Sequence, residues 1–184
     1  MSQEQQTFPV QVFPVINRIA GINWTGSCRY VGADLVPASK LKLTGGVRYD
    51  VNGTTGTVTL SSFLTFPNGK TREVMMQGEA NYDISKKSTI KLSSLEEGGP
   101  IYMLLTEVAP DTILINEVEE ASGRTILTAS ISVVEGRKGM ELVQISHEIG
   151  DGKEGAVIEG HQVWRLTGGP IQYDDFDLRG TTGR

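Results

Sequence analysis

The sequence predicts an all-β fold: a closed or nearly closed up-and-down antiparallel β-barrel of about 8–10 strands with a short N-terminal helical turn. Three observations carry that prediction. Apolar and polar residues alternate with period 2 along most of the chain, and β-branched residues are dense within those runs. Glycine-rich turn signals interrupt the runs at short intervals. Nearly every connection is of hairpin length, which leaves little chain for the long crossovers of a Greek-key sandwich. Closure also removes the exposed edges that so many sequential strands would otherwise present.

The elements follow in order. Residues 13–21, FPVINRIAG, have room for one or two helical turns, and ADLVPASK at 33–40 is the other candidate for a short turn or helix. Between them, residues 24–31 set Trp24, Gly26, Cys28 and Tyr30 on one face, against Thr25, Ser27, Arg29 and Val31. Residues 40–51 put Leu41, Leu43, Val47, Tyr49 and Val51 on one side, with Gly45-Gly46 read as a bulge or bend. Residues 57–66 align Val58, Leu60, Leu64 and Phe66, and the Pro67-Asn68-Gly69-Lys70 turn is a strong hairpin signal. The return strand from Thr71 alternates Arg72, Val74, Met76, Gly78, Ala80 and Tyr82 against Thr71, Glu73, Met75 and Gln77. Further strands are read at 88–94, 101–108, 113–120, 125–134, 140–149 and 156–166. The expected organisation is an N-terminal extension at 1–14, one barrel at 15–167, and an acidic, glycine-rich tail at 168–184. That tail reads as flexible; alternatively it is a docking peptide, with Ile171, Tyr173 and Phe176 as apolar anchors.

Composition narrows the function classes. Seventeen basic and 22 acidic residues give a net charge of −5, and no basic patch carries interleaved aromatics, so nucleic acid is not an expected partner. Cys28 is the only cysteine, which excludes an internal disulfide framework and fits a reducing, cytoplasmic location. No basic-plus-apolar leader is visible, and no apolar run has membrane-spanning length.

Gly21 and Trp24 on the first strand, behind a short helical turn, resemble the signature of the lipocalins and the wider calycin superfamily. The resemblance implies a tryptophan at the closed end of the barrel packed against an arginine of the last strand, here Trp24 against Arg165 in GHQVWRLTG. Without disulfides, the plan is similar to intracellular calycins: fatty-acid-binding proteins, haem-binding nitrobindin-type barrels, and the cyanobacterial bilin lyases. It implies a hydrophobic small molecule, a bilin or other tetrapyrrole among the candidates, held within the barrel.

Candidate ligand-binding residues are Cys28, Tyr30, Tyr49, Met76, Tyr102, Arg29 and Arg72. Tyrosine and methionine adapt to large apolar ligands, and strand arginines, Arg48 included, suit carboxylate or propionate groups. Cys28 reads either as a small buried apolar residue or as a transient covalent site, and the second requires a lowered thiol pKa. His147 and His161 fall on consecutive strands and read as structural histidines, while haem-binding relatives would make one an iron ligand. Glu107 and Glu117 fall on adjacent strands, where a pair could face a pocket; an isolated buried carboxylate is expensive, so outward exposure is expected unless a cationic ligand group is bound. No nucleophile elbow, phosphate-cradling loop or metal-ligand spacing is present, and no catalytic residue is assigned. Binding of a hydrophobic or tetrapyrrole-type ligand, extending to chromophore handling, is the leading functional reading. The alternative is a noncatalytic scaffold or assembly factor that binds a protein complex through the barrel surface and tail.

Overall fold

A computed structural model describes residues 13–80, 89–96, 99–136, 139–153 and 155–169, without the side chains of 38–42. These residues form one helix, α1 (Pro14–Ile19), and ten strands, β1 (Asn23–Gly32), β2 (Pro37–Asn52), β3 (Thr57–Thr65), β4 (Thr71–Glu79), β5 (Thr89–Ser94), β6 (Ile101–Ala109), β7 (Thr112–Glu119), β8 (Thr125–Gly136), β9 (Gly139–Gly152) and β10 (Gly155–Gly169). Each strand pairs antiparallel with its sequence neighbours, and β1 closes on β10 from Asn23 opposite Gly169 to Gly32 opposite Gly160. The closed up-and-down barrel expected from the sequence is therefore present, with ten strands. Of the tail expected at 168–184, residues 168 and 169 end β10; 170–184 lie outside the described residues, as do 1–12.

Local chemistry sets the boundaries. Pro14 stands at the first helical position, where no N–H is needed. The helix ends at Ala20, and Gly21 takes φ +75°, a left-handed conformation costly to other residues. Its amide then donates to the Tyr49 carbonyl at 2.7 Å, which fixes the angle at which the chain turns into β1. At the β3–β4 hairpin the Phe66 amide bonds the Lys70 carbonyl and the Gly69 amide bonds the Phe66 carbonyl, both at 2.9 Å, as the Asn-Gly signal predicts.

Three expectations need correction. Residues 33–40 form no helix: a turn spans Gly32 to Val36, where the Val36 amide bonds Asp34 Oδ1 at 3.0 Å, and Pro37 already begins β2. Pro37 breaks helices but is tolerated at a strand's first residue. Gly45-Gly46 is no bulge, because the register against β1 and β3 runs through both glycines, and the shift lies instead between Arg29 and Val31. A Cβ at either glycine would run into a neighbouring strand or the Phe63 ring, so close approach, rather than an extra residue, explains the pair. The β9–β10 hairpin is also longer than the turn signals suggest, with paired residues out to Gly152 and Gly155.

The helix closes one end of the barrel. Phe13, Val15, Ile16 and Ile19 are fully buried there. They pack in one core with Trp24, Val58, Ile90, Leu105, Ile113 and Leu142. A six-residue helix is too short to be stable alone. Apolar burial therefore holds it, with a tertiary cap: Glu107 of β6 accepts the Ile16 amide at 2.8 Å and the Val15 amide at 3.1 Å.

Candidate functional site in the barrel cavity

Above this plug the interior is not filled. A cavity of about 510 Å³ occupies the barrel, within the roughly 300–1,000 Å³ usual for small-molecule sites. Its floor and walls are mostly apolar: Leu43, Val47 and Tyr49 of β2, Leu60 and Leu64 of β3, Val74 and Met76 of β4, Ile101 and Met103 of β6, Ile115 of β7, Leu127 of β8, and Trp164 and Leu166 of β10. Phe66, at the end of β3 and partly exposed, stands at the mouth.

Polar groups enter this wall on a few strands. On β9 the cavity is lined by Gln144, Ser146 and Glu148, while Ile145 between them is 41% exposed on the outside. On β10, Gln162 and Trp164 line it. These residues form a linked chain. Trp164 Nε1–H donates to Gln162 Oε1 at 2.8 Å, the Gln162 amide donates to Glu148 Oε1 at 2.5 Å, and the Tyr30 hydroxyl donates to Glu148 Oε2 at 2.8 Å. Gly160 makes that chain possible, because a Cβ there would lie 2.2 Å from the Tyr30 oxygen. The bond to Glu148, together with burial, raises the Tyr30 pKa above its ordinary value, so Tyr30 acts as a neutral donor.

A second polar group stands alone. Glu117 of β7 lies in register between Met103 and Leu127 and lines the cavity, but no hydrogen bond to its carboxylate occurs among the described residues. Burial pushes its carboxyl above the usual carboxylate range, and Arg72, exposed at the rim of β4, pulls it partly back. The sign of the linkage follows. A carboxyl whose folded pKa is raised loses stability to ionisation, and the loss is absent below the unfolded value of 4.5 and grows as pH rises through the folded pKa. Glu117→Gln is therefore expected to raise the urea midpoint at neutral pH, with the gain shrinking toward pH 4.5. Equal midpoints for the two proteins at neutral pH would contradict this account.

The residues expected from the sequence divide between the two faces of the wall. Tyr30, Tyr49, Arg72 and Met76 line the cavity. Arg29 is exposed on the outer face. Tyr102 is outside too, with the Lys91 ammonium 4.0 Å from its ring centre. Arg48 is engaged by Asp50 at 2.7 Å and by Asn23. Cys28 is buried in the wall, and burial pushes its thiol up to about 11. That is the reverse of what a nucleophilic thiol requires.

The Trp24–Arg165 pair does not form, because the two side chains sit on opposite faces of the wall. Alternation along β10 turns Trp164 and Leu166 inward and Arg165 outward, where its side chain is 72% exposed and 3.7 Å from Glu141. The Trp24 indole is buried and its Nε1–H donates to the Ile19 carbonyl at 3.0 Å, so the helix is its partner instead. Glu107 and Glu117 also part company, one capping α1 and the other lining the cavity. His147 and His161 are register partners, with Nδ1 atoms 2.7 Å apart and rings edge to face. Among the described residues no three His, Cys, Asp or Glu side chains could hold a metal ion together, and no helix is long and apolar enough to cross a membrane.

No protein-family model and no curated protein matches the chain. One solved structure, described as EF1p2_mFAP2b bound to DFHBI, is 13% identical over 85% of this chain and 98% of that one, with a TM-score of 0.42.

Proposed function

We propose that this protein binds an amphipathic small molecule, mainly apolar, inside the barrel. The observation that carries the reading is the cavity itself: about 510 Å³, stopped at one end by α1, walled by aliphatic and aromatic side chains, with a small set of placed polar groups. A Tyr–Glu–Gln–Trp hydrogen-bond chain fixes polar groups along one side of those apolar walls. The resemblance to the calycins supports the same reading, since it implies a ligand held in the barrel. A tetrapyrrole or bilin belongs to this ligand class as a noncovalent guest. Cys28 is no attachment point for it, being protonated at neutral pH and absent from the cavity lining.

Titration with Nile red, a neutral apolar dye whose emission rises on leaving water, tests the proposal. Saturable binding is expected. Val74→Trp, which fills the cavity from a half-buried wall position, should weaken binding by about tenfold or more while the protein remains folded by circular dichroism. Unchanged dye affinity in that variant, or no binding by the wild type, overturns the proposal.

A further inference from the structure

We infer that the occupant carries a cationic, hydrogen-bond-donating nitrogen on its apolar body, an amine or amidine, and that this nitrogen sits on Glu117. The inference rests on the cavity being a ligand site and names the chemistry that site selects.

Three observations converge on it. Glu117 is the inward residue of β7 that follows Ile113 and Ile115, so the strand's inward face changes from aliphatic to acidic within the cavity. Its carboxylate has no hydrogen-bond donor among the described residues, whereas Glu148 has both oxygens engaged, by Tyr30 and Gln162. A carboxylate on an apolar wall is expensive unless a donor reaches it, and in the free protein only water entering the cavity can do so, since the carboxylate oxygens are not fully buried. Finally, the ionisable groups that line the cavity are Tyr30 of β1, Tyr49 of β2, Arg72 of β4, Glu117 of β7 and Glu148 of β9. With the tyrosines neutral, two carboxylates face one guanidinium, so the interior is net negative.

Arg72 is the natural competitor as an anchor, since a guanidinium suits a ligand carboxylate. Its position argues against that role. It is exposed at the rim, where water screens it, while Glu117 lies deeper and is more fully desolvated. An anionic head drawn to Arg72 would also face the field of both carboxylates. A cationic head meets the reverse situation: it compensates the unpaired charge and supplies the donor that the wall omits.

Three probes of one shape separate the cases: naphthylmethylamine, naphthylmethanol and naphthoic acid, each titrated calorimetrically at neutral pH. The amine is expected to bind about tenfold more tightly than the alcohol, the increment of a charge-assisted hydrogen bond in a partly desolvated site, and the acid most weakly. In Glu117→Gln the preference for the amine over the alcohol should collapse. Arg72→Gln should leave the amine preference intact or enlarged. Equal binding of amine and alcohol by the wild type overturns this inference but leaves the cavity as a ligand site, and so does tightest binding of the acid. Failure of all three probes to bind, with Nile red also excluded, overturns the cavity reading and this inference together.

Discussion

Replacing Trp24 with alanine should lower the unfolding free energy by about 3–5 kcal/mol, as for other buried aromatic truncations. The indole is 1% exposed, its six-membered ring would lie 3.2 Å from a Cβ placed on Gly168, and its N–H holds the carbonyl of Ile19 at the last turn of α1. The change therefore empties the core beneath the floor and releases one end of the plug. Trp24→Phe keeps most of the apolar contact and loses the hydrogen bond, so it should show a distinctly smaller loss. Urea unfolding followed by far-ultraviolet circular dichroism measures both. A loss below about 1 kcal/mol for the alanine variant would mean that this indole does not carry the packing assigned to it.

The second large effect is expected at Glu107. Its carboxylate accepts two amides of α1 from across the barrel. Glu107→Ala leaves both donors without that acceptor, at about 1–3 kcal/mol for each one that water cannot reach. Glu107→Gln keeps one carbonyl oxygen and should fall between wild type and alanine. Burial raises the Glu107 carboxyl above its ordinary 4.5, although the two amides oppose the shift. Ionisation is thus harder in the folded protein, and the difference between wild type and the glutamine variant should be most favourable to the wild type at low pH. Hydrogen exchange at the Val15 and Ile16 amides reports the cap directly. Unchanged exchange in the alanine variant would show that the cap is dispensable.

The sequence made the barrel legible because period 2 and glycine-rich turns are local signals, and each strand pairs with its immediate neighbour. The inward set on β1, β2 and β4 could be read the same way: Trp24, Cys28, Tyr49 and Met76 are apolar and buried. The polar side of the site was hidden by that same rule. Hydrophobicity assigns Val143, Ile145 and Ile149 of β9 to the interior, but the chain turns Gln144, Ser146 and Glu148 inward. Register overrides pattern here, since His147 pairs with His161 while Trp164 must face the core beside Gln144. An inverted strand within an otherwise regular barrel was the available signal for a polar wall. Glu117 was visible as a strand acid; its position beside the cavity was not, because that depends on how β7 aligns with β6 and β8. Arg165 illustrates the same limit. The type of residue fitted the expected stack with Trp24, but one step of alternation put it outside.

The plug has a consequence for how this molecule can change. The helix, Trp24 and the aliphatic residues around them form a compact base, whereas Tyr30, Phe66, Arg72, Glu117, Glu148 and Gln162 surround a space that other side chains do not fill. The packed base and the open cavity thus occupy opposite poles of the same ten strands. If the cavity binds a guest as proposed, substitutions around the rim would retune what is admitted without dismantling the base. Libraries aimed at altered guests belong at that pole, and consensus or cavity-filling stabilisation at the other.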